Sequence, residues 1–331
     1  MGVYIIAEAG VNHNGSMALA MELVRKAKEA GADCIKFQTF ITENLVVKDA
    51  KKADYQIANT NESGSQFDML KKLELSFEDF GRLKKFCEEI GIEFLSTPFD
   101  FDSIDFLNKL DMKFWKIPSG EITNLPYLEK IAATGKPVVL STGMCDMNEV
   151  KDAVAVLKRS GCEELAILHC TTEYPAPINE CNFNVLDTLS EEFNVPVGYS
   201  DHTEGILAPI IAVAKGAKII EKHFTLDKNM EGPDHKASLN PEELTEMVRN
   251  IRLVENSLGD GKKEPAKSEV ANKAVARKSI VAAANIKKGE VFTCDNLSVK
   301  RPGTGISPMK WYDIIGKTAT RDFVKDELIE I

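Results

Sequence analysis

Short apolar runs rich in Val, Ile, Leu and Phe recur along the chain, separated by longer segments of helical period. This is the pattern of repeated strand and helix units around a parallel sheet, whose strands are covered on both faces and so carry nearly continuous apolar stretches. Eight such runs can be counted, beginning at Val3, Cys34, Ile92, Phe114, Pro137, Leu165, Val195 and Lys218. Eight strands close a (β/α)8 barrel, so residues 1–258 are expected to form a TIM barrel.

The intervening segments carry helix punctuation. Ser76 can cap the helix that runs through Leu83 and Phe86 and stops at Gly91. After the eighth run, Asn240-Pro241-Glu242-Glu243 combines an N-cap, a first-turn proline and acidic residues, which predicts the helix that closes the barrel near Leu258. The second connection, roughly 41–75, is far longer than usual and carries the polar stretch from Asn59 to Ser65. It either folds as a flap near the barrel mouth or is a surface insertion. Residues 259–278 are polar and charged, as in a linker. Residues 279–331 show short alternating runs between Lys-Gly and Pro-Gly turns, which predicts a small β-rich module needing a packing partner.

In a closed barrel the functional groups lie at the C-terminal ends of the strands, and here every run ends polar. The first offers Glu8 and Asn12-His13-Asn14-Gly15, the second Lys36 and Gln38, the third Ser96 and Thr97, the fourth Lys116, Ser119 and Glu121. The fifth offers Ser141 and Thr142, the sixth His169, Thr171 and Thr172, the seventh Ser200 and His202, and the eighth Glu221 and His223. Two lysines among hydroxyls suit a small phosphorylated anion, although snorkelling to solvent is the ordinary explanation of each alone. All five histidines, His235 included, fall at or near segment ends, which suggests one shared site. His202 and His223 end adjacent strands and can reach one ion, leaving positions for substrate oxygen and water. An oxygen-rich site without thiolate favours Mn²⁺ or Mg²⁺ over Zn²⁺. The alternative is that both imidazoles only cap strands through hydrogen bonds. Glu8 and Glu121 are expected on opposite sides of the mouth, either moving protons or neutralising lysines. A Schiff-base lysine is a weaker alternative to the metal pair.

Composition narrows the partners. The formal charge of −10 excludes a general nucleic-acid binder, so any anion site must be local. No run approaches the ~20 apolar residues of a membrane span, and Glu8 comes too early for a secretion signal. Seven cysteines without CxxC spacing suit reduced thiols, and a cytoplasmic location is expected.

The segments AEAGVNHNGS, IKFQTF, FLSTPF, KIPSGEITNLPYL, STGM, HCTTEYPAP, GYSDHT, EKHFTLDK and GPDHKAS together resemble the bacterial sialic acid synthase family. The resemblance runs from the first strand to the end of the chain, where residues 279–331 are similar to a SAF, or antifreeze-like, domain. It implies condensation of phosphoenolpyruvate with an open-chain N-acylated amino sugar, releasing phosphate and forming a nine-carbon 2-keto acid. By the same resemblance, His202 and His223 would hold the metal, and Lys36, Thr97, Lys116, Ser119, Ser141 and Ser200 the phosphoenolpyruvate. Thr172 would join them where some members have Asn. Glu8, Gln38, Glu121, Tyr174 and Asp234 would contact the sugar or handle protons, with Glu121 the preferred proton carrier. A domain-swapped homodimer is implied, with Arg301 of Lys300-Arg301-Pro302-Gly303 delivered to the neighbour's sugar.

N-acetylneuraminate synthase, acting on N-acetylmannosamine, is the leading expectation. The alternative is a legionaminic or pseudaminic acid synthase using a 2,4-diacetamido-2,4,6-trideoxy-hexose. Ice or carbohydrate binding by the C-terminal module alone is a different class of function, for which Lys287, Lys288, Lys300 and Arg301 make the surface too charged to suit ice. A catalytically dead regulator fits poorly with a complete set of polar strand ends.

Overall fold

Eight parallel strands form one sheet: β1 (Tyr4–Gly10), β2 (Cys34–Thr39), β3 (Glu93–Pro98), β4 (Trp115–Ile117), β5 (Val138–Ser141), β6 (Leu165–Cys170), β7 (Val197–Asp201) and β8 (Ile219–His223). The computed structural model describes residues 2–60 and 64–331. Neighbours run in the order β3, β2, β1, β8, β7, β6, β5, β4, and the sheet curls until β3 and β4 lie side by side. Helices cover its outer surface, giving the (β/α)8 barrel that eight alternating runs require.

The helix boundaries follow local chemistry. The Ser76 hydroxyl accepts from the Asp79 amide and starts Phe77–Ile90, which ends at Gly91 with φ +78°, a left-handed conformation that glycine adopts without penalty. Asn240 and Glu243 form a reciprocal capping box at the start of Pro241–Ser257. The fourth strand is shorter than its run suggests. Pro118 has no amide to continue the ladder, and Ser119–Glu121 turns into a single 3-10 turn.

Alternation sorts the side chains of each strand into two environments. Outward residues such as Ile5, Phe37, Trp115 and Tyr199 pack beneath the helices in the main core. Inside the barrel, Val139, Ala166 and Leu168, with Phe114 and Ile219 against them, fill the floor. Gly198 belongs to this interior: a Cβ there would stand 2.4 Å from the Ile219 carbonyl oxygen and 2.5 Å from Leu168 Cδ2. On the outer face at the top of β7 and β8, Lys222 Nζ and Asp201 Oδ2 form a fully buried pair at 2.6 Å. The lysine also donates to the Thr203 carbonyl.

The long second connection forms three helices, Thr42–Leu45, Asp54–Thr60 and Gln66–Leu73. Residues 61–63, within its polar Asn59 to Ser65 stretch, lie outside the described residues.

The chain divides after Gly259 into two units, 1–259 and 260–331. In the second, β9 (Ser279–Ala282) pairs antiparallel with β10 (Leu297–Lys300). Its core is small, gathered around Ile280, Ile286, Phe292, Leu297 and Phe323. The residues read as a linker carry a short exposed helix, Val270–Ala276. Among the described residues, no helix is long and apolar enough to cross a membrane.

Candidate active site

The carboxyl ends of the strands open into a cavity of about 240 Å³. Only inward-facing residues of each strand reach it. The strands supply Glu8, Lys36, Gln38, Thr97, Lys116, Ser141, Ser200, Glu221 and His223, and the segments just beyond them add Ser119, Thr172, Tyr174, His202 and Asp234. Parallel register sets the neighbours, with Glu8 opposite Lys36 on β2 and opposite His223 on β8, and Ser200 opposite Glu221.

Four charges converge at the base of this cup. Lys36 Nζ lies 2.7 Å from Glu8 Oε2 and 3.7 Å from Glu221 Oε2, while Lys116 Nζ lies 3.4 Å from Glu221 Oε1. Lys36 also donates to Thr97 Oγ1 at 3.3 Å, and Ser200 donates to Glu221 at 3.0 Å. Burial raises the Glu8 carboxyl to about 7, although Lys36 pulls it the other way. Burial also opposes ionisation of Glu221, but Lys116 and then Lys36 outweigh it and hold that carboxyl low. For Lys116 burial dominates and lowers the ammonium; for Lys36 the two glutamates overcome burial and raise it. Above these charges, the buried hydroxyls of Ser141 and Thr172 have no hydrogen-bond partner. A polar atom left so costs about 1–3 kcal/mol, which a ligand with acceptor oxygens would recover. The Gly143 amide donates to Ser119 Oγ at 2.8 Å, and a Cβ on Gly143 would stand 2.1 Å from Thr172 Oγ1.

The imidazoles occupy one side of the mouth. His202 Nδ1 lies 2.7 Å from the Thr171 carbonyl oxygen, which requires the proton on Nδ1 and leaves the Nε2 lone pair facing Tyr174 OH at 3.2 Å. Burial lowers His202 and, together with His202 and the nearby lysines, holds His223 well below the usual histidine range. Both rings are therefore neutral donors, with centroids 5.4 Å apart. His223 Nδ1 has no hydrogen bond and stands 3.8 Å from Asp234 Oδ2. Burial raises the Asp234 carboxyl to about 6. These residues fit a divalent cation through two nitrogen donors. Among the described residues no three His, Cys, Asp or Glu side chains gather on one point, so further ligands would be substrate or water oxygens. Tyr174 packs against both imidazoles, and Tyr55 of the second connection stacks on Tyr174 at 5.0 Å.

Several expected participants lie elsewhere. Glu121 does not line the cavity: the turn after Pro118 carries it aside, where its carboxylate accepts from Asn124 Nδ2 at 2.6 Å. Arg301, expected at a partner's site and not at this one, is carried by the second unit. Nor do the five histidines share one site. His169 has the outward parity of β6 and bonds the Cys181 carbonyl; His235 is held between Thr225 and Asn14; His13 is buried, with Nδ1 accepting from the Gly15 amide. Conversely, Glu221 belongs to the charged base although it had been given no role. Its signal was present, because it stands two residues before His223 and so shares its face.

Comparison with known proteins agrees with this geometry. A family model described as the NeuB family matches residues 23–263, and one described as the SAF domain matches residues 277–330. The chain belongs to the NeuB family. It is 51% identical to the N,N'-diacetyllegionaminic acid synthase of Campylobacter jejuni, over 98% of each chain. It is 50% identical to the enzyme of the same name from Legionella pneumophila, over 96% of this chain and 90% of that one. The crystal structure of a sialic acid synthetase from Leptospira borgpetersenii, in complex with citrate, superposes with a TM-score of 0.73 at 34% identity, covering 82% of this chain and 90% of that one. This NeuB-family protein is thus an enzyme of the nonulosonic acid synthase type, with a (β/α)8 barrel and a SAF domain.

Outside the site, His13 sets an acid limit on stability. Burial lowers its imidazole from 6.5 to about 4, so the unfolded chain binds the proton more readily. Its contribution is complete above pH 6.5 and is lost as pH falls towards 4, by about 2 kcal/mol at pH 5. Urea unfolding of His13→Gln should therefore gain about 2 kcal/mol on the wild type between pH 7.5 and pH 5. A constant difference between the two proteins would contradict this assignment.

Proposed function

We propose that this protein is an N,N'-diacetyllegionaminic acid synthase, joining phosphoenolpyruvate to a 2,4-diacetamido-2,4,6-trideoxy-hexose with release of phosphate. The observation that carries this reading is that relatives from two genera, each about half identical over nearly the whole chain, share that named activity. The sialic acid synthetase of known structure is only 34% identical. This reverses the order expected from sequence, where N-acetylmannosamine led.

The site chemistry is compatible with the reaction. Phosphoenolpyruvate brings a carboxylate and a phosphate, which would draw Lys36 and Lys116 away from Glu8 and Glu221. The unpaired hydroxyls of Ser141 and Thr172, together with Thr97, Ser119 and Ser200, would supply donors. Gln38, Tyr174 and Asp234 would orient the sugar above that anion. His202 and His223 would hold Mn²⁺ or Mg²⁺, the hard cations that an oxygen-rich remainder favours. When bound, such an ion supplies Lewis-acid polarisation of the sugar aldehyde. C3 of phosphoenolpyruvate then bonds to the aldehyde carbon, water adds at C2, and the C–O bond to phosphate breaks. Glu8 takes the role of proton carrier, because it faces the cavity and Glu121 does not. Seven unpaired cysteines suit a reducing, cytoplasmic setting.

We also assign a homodimer in which Arg301 reaches the partner's sugar. Arg301 is exposed, with its Nε donating to the Ala276 carbonyl, and the same module leaves Met309 93% and Tyr312 85% exposed. Two large exposed side chains three positions apart would suit a docking face.

Phosphate release with a panel of purified sugars tests the reaction. Turnover is expected with the di-N-acetylated 6-deoxy sugar, and a preference for N-acetylmannosamine would overturn the assignment. His202→Ala and His223→Ala should each reduce turnover at least about 100-fold while leaving the far-UV spectrum and Tm near wild type. Normal activity of either variant after chelation and dialysis would rule out the metal pair. For the dimer, sedimentation should give twice the 36.6 kDa chain mass, and Arg301→Ala should raise the KM for sugar more than that for phosphoenolpyruvate. A monomer, or equal effects on both substrates, would refute that arrangement.

A further inference from the structure

The mouth of the cavity has two unlike sides. Opposed in chemistry to the imidazoles, Tyr174 and Asp234 is an apolar lining made by Val11, Met69, Leu70, Leu73 and Phe99. This lining is part of a separate cluster that also includes Phe40, distinct from both the barrel floor and the core beneath the helices. Three of its members come from one helix, Gln66–Leu73, where positions i, i+1 and i+4 share a face.

That helix is fixed by its surroundings. Ser65 and Asp68 form a capping box, and the Gln66 amide donates to the Ala50 carbonyl at 2.8 Å. Immediately after it, the Glu74 carboxylate accepts from the Thr42 amide at 2.9 Å and the Thr42 hydroxyl at 2.5 Å. Gly15, at φ +72°, lies so close that a Cβ would stand 2.4 Å from the Lys72 carbonyl oxygen. The apolar face is therefore presented to the cavity as a preformed wall.

We propose that this wall is the specificity-determining surface for the sugar, and that it selects a sugar whose far end carries methyl groups. This rests on the synthase activity proposed above. In a 2,4-diacetamido-2,4,6-trideoxy-hexose, C6 is a methyl and the C4 acetamido group ends in another. In N-acetylmannosamine the corresponding positions are hydroxyls. A hydroxyl held against Met69, Leu70 and Leu73 loses its water and meets no donor or acceptor, whereas a methyl gains dispersion contacts. One methylene-sized difference in an apolar pocket is worth about 10- to 200-fold in kcat/KM.

The test uses the full chain and phosphate release with each sugar in turn. Leu70 is the suitable position because it lines the cavity while only partly buried, so an amide there need not enter a packed core. Leu70→Gln should lower the ratio of kcat/KM for the di-N-acetylated sugar over N-acetylmannosamine by roughly 10-fold or more. The KM for phosphoenolpyruvate should stay at its wild-type value, and Leu70→Met, which conserves volume and polarity, should retain the wild-type ratio. A Leu70→Gln ratio within about twofold of wild type would overturn the wall as selector. Equal losses on both sugars with a lowered Tm would do the same, by showing a structural role only. A wild type that itself prefers N-acetylmannosamine would instead defeat the synthase assignment on which the wall depends.

Discussion

Two lysines and two glutamates brought together out of water at the top of a closed barrel are the constraint around which the rest is arranged. At 2.7 to 3.7 Å these ion pairs attract strongly, yet removing each ion from water costs several kcal/mol. Such a group is a weak stabiliser and a good receptor. Each lysine is already desolvated and positioned, so an incoming anion competes with a carboxylate for it, not with a full hydration shell. The cost is offset in part because each carboxylate faces a lysine. The unpaired hydroxyls above them await oxygen atoms the protein does not provide.

Three layers follow from the barrel's geometry. An apolar floor of Val139, Ala166 and Leu168 seals one end, the charged base lies above it, and the mouth carries neutral imidazoles on one side and aliphatic side chains on the other. The vertical order is a consequence of strand direction, since moving two residues along a strand raises a side chain by one layer while keeping it inside. Glu221 and His223 illustrate this on β8. Lys222 between them points the other way and is neutralised by Asp201 under the helices.

Membership of the NeuB family brings the fold and the chemistry of these layers into agreement. The barrel supplies a rigid charged cup common to any phosphorylated substrate, while the long second connection adds a surface of a different character. On the proposed reading, charge would serve the anion and apolar contact would discriminate the sugar. Separating the two tasks on different elements lets one be altered without disturbing the other.

Much of this was legible along the chain, and the reasons are local. Eight apolar runs specify eight strands, caps such as Ser76 and Asn240 specify where helices begin, and strand parity brings most of the expected residues to one face. Parity also contained Glu221 and excluded His169. Other features depended on the folded chain. Pro118 ended β4 early and moved Glu121 out of the cavity, a displacement that depends on how the following turn packs. The second connection left a flap at the mouth and a surface insertion both open, because its helices carry their apolar residues in short stretches that become a wall only when Gly15 and Thr42 hold them over the mouth. Sequence by itself determined which side chains face inward, since alternation is a property of one strand. Tertiary structure alone decided which of them meet, because closure of the barrel sets distances between residues far apart in the chain.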